Sequence, residues 1–262
     1  MAVIALTTDF GLTDPYVGIV KGVLATRAPG ATVIDLTHGI PPQDVLAGAL
    51  VLRHAAPYFP PGTIHLAVVD PGVGGTRRPI CIETDTALFV APDNGLCSLA
   101  APPERTRRVV HLTDERFFLA PRSTTFHGRD VFAPVAAALA TGTPPEALGP
   151  PVSDPVRIAV PPVETEPGRL RGAVLYVDRF GNLVTNIEAA RLAAFPRRAV
   201  STTIGGVQVR GIATAYADVE RGALLAVIGS WGLLEIARRD GSAAGALGVG
   251  VGAPVVVEGP TT

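Results

Sequence analysis

A change of grammar part-way along the chain limits its fold more than any single motif does. Up to about residue 140, apolar runs at residues 3–7, 33–36, 64–69, 80–83, 87–90 and 109–112 read as strands, with helix-like segments at 16–27 and 43–56 between the early ones. Ile19, Val23 and Leu24 recur at helical spacing, as do Leu46, Leu50 and His54. Asp44 or Gln43 suits the start of the second helix, and Pro57 ends it. Apolar strands alternating with helices predict a parallel sheet covered on both faces. Eight prolines then fall between Pro144 and Pro167, which predicts a stiff, extended connector. Beyond them lie only short β runs, punctuated by the hairpin signals Gly181-Asn182, Gly205-Gly206 and Trp231-Gly232. We therefore expect an α/β N-terminal domain with a parallel sheet over residues 1–150, a Pro-rich linker over 151–169, and a smaller antiparallel β-barrel domain over 170–262.

Composition excludes several classes. With 47% hydrophobic and 17% charged residues in a chain of 262, disorder is ruled out. A net charge of −1 gives no hold on nucleic acid or an anionic membrane. No apolar run approaches the roughly 18 residues of a membrane span, and the first ten residues lack a basic leader, so a cytoplasmic location is expected. Lys21 is the single lysine, which reflects coding bias more than ligand choice. Cys81 and Cys97 sit in apolar surroundings and read as buried, inert thiols; their spacing offers no metal site.

Chemistry is concentrated in four polar, glycine-bearing loops, each attached to an apolar element. Val68-Val69-Asp70-Pro71-Gly72-Val73-Gly74-Gly75-Thr76-Arg77-Arg78 follows one buried run, and Thr7-Thr8-Asp9-Phe10-Gly11-Leu12-Thr13-Asp14 follows another. Phe126-His127-Gly128-Arg129-Asp130 leads into an apolar stretch, and Asp178-Arg179-Phe180-Gly181-Asn182 follows a fourth run. Any one of these is adequate as a plain turn. Four together point to a dispersed site, because strand ends followed by loops are where open α/β sheets carry ligands. A dinucleotide site is excluded by the absence of G-x-G-x-x-G after the first strand, and GVGGTRR lacks the ending of a phosphate-binding P-loop.

The set TTDFGLTD, IPPQDVLAGA, VVDPGVGGTRR, APDNG, FHGRD and DRFGNLVTNI, in this order over essentially the whole chain, resembles the S-adenosyl-L-methionine hydroxide adenosyltransferases, relatives of the fluorinase and chlorinase. The resemblance implies an α/β domain followed by a β-barrel, and a homotrimer with ligand sites between subunits. It casts Asp9 as acceptor for the ribose hydroxyls, sets Asp14 and Tyr16 near the methionine portion, and pairs Asp178 with the α-ammonium. Asn182 would hydrogen-bond the adenine with Phe180 packing beside it, while Tyr216 and Arg238 align with adenosine-side positions. Trp231 replaces a fluorinase arginine at the methionine carboxylate, and backbone near Ser230 would serve instead. Asp70, Arg77 and His127 match the trio that separates hydroxide users from halogenases, with Arg78 the alternative if the loop register slips by one. His38, His54, His65 and His111 match no functional position and read as structural.

The reaction so implied is hydrolysis of S-adenosylmethionine to adenosine and L-methionine, by oxygen attack on ribose C5′. The sulfonium leaves as a neutral thioether, so the burden falls on activating water, a task suited to Arg77 with Asp70 and His127 as a coupled unit. No cofactor and no metal is expected; S-adenosylmethionine is substrate. Two other readings stay open: a halide-using adenosyl transferase, which would release 5′-halo-5′-deoxyadenosine, and a non-catalytic adenosine or S-adenosylmethionine sensor, which would not need the trio.

Overall fold

The apolar runs of the first half become one six-stranded sheet in the computed structural model, which describes residues 1–193 and 195–259. The strands are β1 (Val3–Thr8), β2 (Thr32–Thr37), β3 (Thr63–Val68), β4 (Pro79–Thr84), β5 (Ala87–Pro92) and β6 (Thr106–His111), in the order β2-β1-β3-β5-β4-β6. β2, β1, β3 and β5 run parallel, whereas β4 runs against both its neighbours. The sheet is therefore mixed. A tight hairpin causes the reversal: the Thr84 hydroxyl donates to Ala87 O and accepts from Ala87 N, both at 2.9 Å, which leaves no room for a crossover helix.

α1 (Tyr16–Arg27) and α2 (Val45–Ala55) occupy the two helix-like segments. In α1 the buried stripe is Val17, Val20 and Leu24, while Ile19 faces outward at 38% exposure. Asp44 caps α2, its Oδ1 accepting from Ala47 N at 2.9 Å. α1 and α3 (Ala133–Ala140) cover the face that carries Ile4, Leu6, Ile64 and Leu66. α2 lies on the other face, where Gly48 sits so close to Val69 and Leu96 that a Cβ would come within 2.6 Å of Leu96. Each large side chain fully buried in these layers contributes about 1.5–3 kcal/mol.

The structure divides into two compact units after Ile158. The proline-rich stretch is not a free connector. Val152 N donates to Val109 O, Val156 N to Asp93 Oδ1 and Ile158 N to Ser98 Oγ, so the non-proline amides fasten it to the first unit. Its later residues form β7 (Glu164–Glu166), paired with β8 (Arg169–Val177).

The second unit is an antiparallel sheet of β7, β8 (Arg169–Val177), β9 (Leu183–Glu188), β10 (Ser201–Ile204), β11 (Val207–Arg210), β12 (Leu224–Ile228), β13 (Leu233–Arg238) and β14 (Pro254–Glu258). The order β11-β10-β14-β8-β9-β13-β12 curls until its end strands approach, giving a nearly closed, barrel-like core around Leu183, Ile187, Leu234, Ile236 and Val255. Two short helices, α4 (Ala189–Leu192) and α5 (Ala243–Leu247), fill the connections. Among the described residues no helix is long and apolar enough to cross a membrane.

Candidate functional site

β1 and β3 pair with Thr8 opposite Val68, so Asp9 and Asp70 leave the same edge of the sheet, the carboxyl end of its parallel strands. Asp70 opens a loop that folds back to place Arg77 against it. Arg77 Nε donates to Asp70 Oδ1 at 3.0 Å, and Nη2 donates to Oδ2. The same Nη2 lies 2.8 Å from His127 Nδ1. The Arg77 and Asp70 side chains are only 10% and 5% exposed, and the guanidinium stacks over Phe132 at 5.3 Å. Gly74 permits this fold: its φ is +75°, and a Cβ there would come within 2.2 Å of Thr124 O, on the loop that leads to His127.

The geometry assigns protons. Arginine only donates, so His127 Nδ1 must be the bare nitrogen and Nε2 carries the hydrogen. Burial, then the neighbouring Arg77 charge, lowers the His127 pKa, with Asp70 opposing, so the imidazole is neutral near pH 7. Asp130, buried at 1% exposure, pairs with Arg129 and accepts from Ser123 N at 2.8 Å, holding the loop that presents His127. Arg78 points elsewhere: it bonds Asp93 and Asp154, with the Asp154 contact at 2.7 Å. Arg77 is thus the arginine that meets Asp70 and His127.

Asp9 Oδ2 accepts from Gln43 N at 2.8 Å, and Gln43 adopts a left-handed φ of 66° to aim that N–H. Its Oδ1 makes no hydrogen bond among the described residues. Tyr16 packs edge-on against Phe10 and Phe126, which ties the Asp9 loop to the His127 loop. Asp14 is exposed.

The six C-terminal candidates, Asp178, Phe180, Asn182, Tyr216, Ser230 and Arg238, line one cavity of about 940 Å³ in the second unit. Asp178 Oδ1 accepts from Phe180 N and Asn182 N, and Oδ2 accepts from Asn182 Nδ2 at 2.9 Å. Three of its roughly four acceptor sites are therefore spent on its own turn. The Trp231 ring lies 5.2 Å from that of Tyr176, tilted by 32°, on the wall. Sequence reasoning missed Glu235. It is 7% exposed, lines the cavity, and accepts from the Tyr216 hydroxyl at 2.7 Å. Burial, and then the Asp178 charge, raises its pKa, against the opposing Tyr216 hydrogen bond; Tyr216 itself is pushed up to about 12. The signal was present as a lone acid inside Leu233-Leu234-Glu235-Ile236-Ala237.

Cys81 and Cys97 are unpaired and buried; burial pushes the Cys81 thiol up to about 12 and that of Cys97 higher still. Among the described residues no three His, Cys, Asp or Glu side chains gather as a metal site.

Residues 4–149 match the SAM hydroxide adenosyltransferase N-terminal domain, and residues 172–256 match the C-terminal domain of the same family. The chain belongs to that family. It is 46% identical to an (R)-S-adenosyl-L-methionine hydrolase from Thermus thermophilus, over 95% of this chain and 96% of the relative. A Salinispora tropica protein of the same name is 44% identical over 94% of each. A fluorinase from Actinoplanes sp. is further off, at 29% identity over 72% of this chain and 73% of the fluorinase. The fold is similar to a solved structure of a conserved protein from Thermotoga maritima, with a TM-score of 0.90 and 36% identity, covering 97% of this chain and 99% of that one.

Proposed function

We propose that this adenosyltransferase-family enzyme hydrolyses S-adenosyl-L-methionine to adenosine and L-methionine, and that it acts on the R epimer at sulfur, as the names of its relatives indicate for those proteins. The observation that carries the reading is the Arg77 guanidinium shared between Asp70 and His127. His127 Nε2–H donates to the water oxygen, and a remaining Asp70 lone pair accepts one water hydrogen. The oxygen forms its bond to C5′ as the C5′–S bond breaks, and that electron pair stays on sulfur. The water proton passes to Asp70 and on to solvent. Charge is neutralised in this step, so a buried, partly desolvated cluster favours it. The Arg77 charge favours the hydroxide-like form of the oxygen as its proton leaves, and the guanidinium keeps its own proton.

In the second unit, Asp9-independent recognition falls to the cavity. Asn182 and Phe180 take the adenine, and the acids take the amino-acid portion. Glu235 has more spare acceptor capacity than Asp178, because only its Oε1 is engaged, by Tyr216. We assign it to the α-ammonium beside Asp178. The ribose hydroxyls fall to Asp9. The working form is a cytoplasmic homotrimer in which neighbouring copies contribute to each site, and no cofactor takes part.

The test is incubation with each sulfonium epimer in ¹⁸O-water, with chloride or fluoride present. Adenosine labelled at the 5′ oxygen, formed faster from the R epimer, is expected. A 5′-halo product would make the chain a halogenase, and binding without turnover would make it a sensor. Mixing inactive Asp70→Ala and Asp178→Ala proteins after dissociation tests sharing between copies, since regained activity requires it.

A further inference from the structure

The Asp9 turn is held from below by a buried relay that the reaction itself does not use. His38, 6% exposed just after β2, grips this turn twice. Its carbonyl accepts from Gly11 N at 2.9 Å, and its Nδ1 lies 2.8 Å from Thr8 Oγ1. Asp35 Oδ1, a carboxylate oxygen that only accepts, lies 3.1 Å from His38 Nε2 and favours the imidazole hydrogen there. Nδ1 is then bare and accepts from the Thr8 hydroxyl, whose oxygen also accepts from Phe10 N at 3.2 Å. Nε2 makes no hydrogen bond among the described residues, so the contact is electrostatic. Asp35 in turn takes the Lys21 ammonium at 2.6 Å.

The chain Lys21–Asp35–His38–Thr8 thus runs from solvent to the floor of the turn and fixes the residues on either side of Asp9. We infer that His38 is a positioning residue for Asp9: through Thr8 and Gly11 it sets the direction of the carboxylate that receives the ribose. The inference rests on the proposed adenosine site. Imidazole is required for its Nδ1, which a short amide can imitate, as the Oδ1 of asparagine occupies nearly the place of Nδ1. Glutamine places its polar end near Nε2 and cannot serve Thr8.

The experiment compares wild type with His38→Asn, His38→Gln, Thr8→Val and Asp9→Ala. Adenosine affinity is measured by calorimetry, KM and kcat with S-adenosylmethionine, and amide exchange at Phe10 and Gly11 by mass spectrometry. His38→Gln and Thr8→Val should each weaken adenosine about tenfold, the effect of one lost hydrogen bond, acting mainly on KM. Their double variant should be no worse than either single one. His38→Asn should restore affinity and slow exchange towards wild type. Unchanged affinity in His38→Gln and Thr8→Val, with Asp9→Ala still losing adenosine, would overturn the inference and leave the adenosine site standing. Unchanged affinity in Asp9→Ala would remove the adenosine reading itself. Exchange then decides alone: protection at Phe10 and Gly11 that is equal in His38→Gln and wild type would show that His38 does not hold the turn.

Discussion

Arg77 serves two acceptors with one nitrogen, and only a planar fork can do so while bonding both oxygens of Asp70. Lysine would keep the charge and lose the geometry. Arg77→Lys is expected to lower turnover by about 10²-fold or more, with adenosine affinity unchanged. Arg78→Lys breaks a brace to Asp93 and Asp154 and should lower the thermal midpoint while leaving turnover close to wild type. Steady-state kinetics with calorimetric adenosine binding separate the two; an equal loss of turnover in Arg78→Lys would contradict the assignment. Glu235 offers a second residue-scale check. Glu235→Gln keeps an acceptor for the Tyr216 hydroxyl but removes the charge facing the ammonium. KM for S-adenosylmethionine should rise about tenfold or more with adenosine affinity intact. A parallel loss of adenosine binding would instead assign Glu235 to the nucleoside.

At the scale of elements, the loop joining β3 to β4 depends on one residue without a side chain. Gly74→Ala forces a left-handed alanine into Thr124 O, and Thr124 lies three residues before His127. The loops must part, so turnover should fall by at least about tenfold while the folded state persists, as near-ultraviolet circular dichroism and kinetics together would show. Much of this architecture was readable beforehand. Helices at Tyr16–Arg27 and near Val45–Ala55 follow from apolar spacing and the Asp44 cap, whereas Asp70, Arg77 and His127 are grouped by the family resemblance alone, and the structure brings the three side chains into contact. The reversal of β4 was not readable, because side-chain bonding of Thr84 decides it and an apolar run has no direction. Nor did the pattern show which side of α1 is buried, since Ile19 and Val20 are equally apolar. Glu235 was hidden for the opposite reason: a single acid in a strand looks like the solvent face until the cavity behind it is known.

For the molecule as a whole, buried imidazoles set the response to acid. His65 is fully buried between Phe59 and Phe89, and burial lowers its pKa from 6.5 to about 4. Between those values the unfolded chain binds a proton that the folded chain refuses, so the His65 contribution to stability is lost as pH drops from about 6.5 towards 4 and changes no further below. For His65 the full loss is on the order of 3 kcal/mol. Chemical denaturation at pH 7 and pH 4.5 should show a drop that His65→Leu reduces; an identical drop in that variant would assign the acid sensitivity to other groups. The lone lysine has a practical consequence as well. Lys21 is the only side-chain amine, and Asp35 engages it at 2.6 Å. An amine-selective acylating reagent therefore finds a single side-chain target, Lys21. The rate of acylation at Lys21 becomes a spectator of the ion pair, readable without substrate, and Asp35→Asn should quicken it.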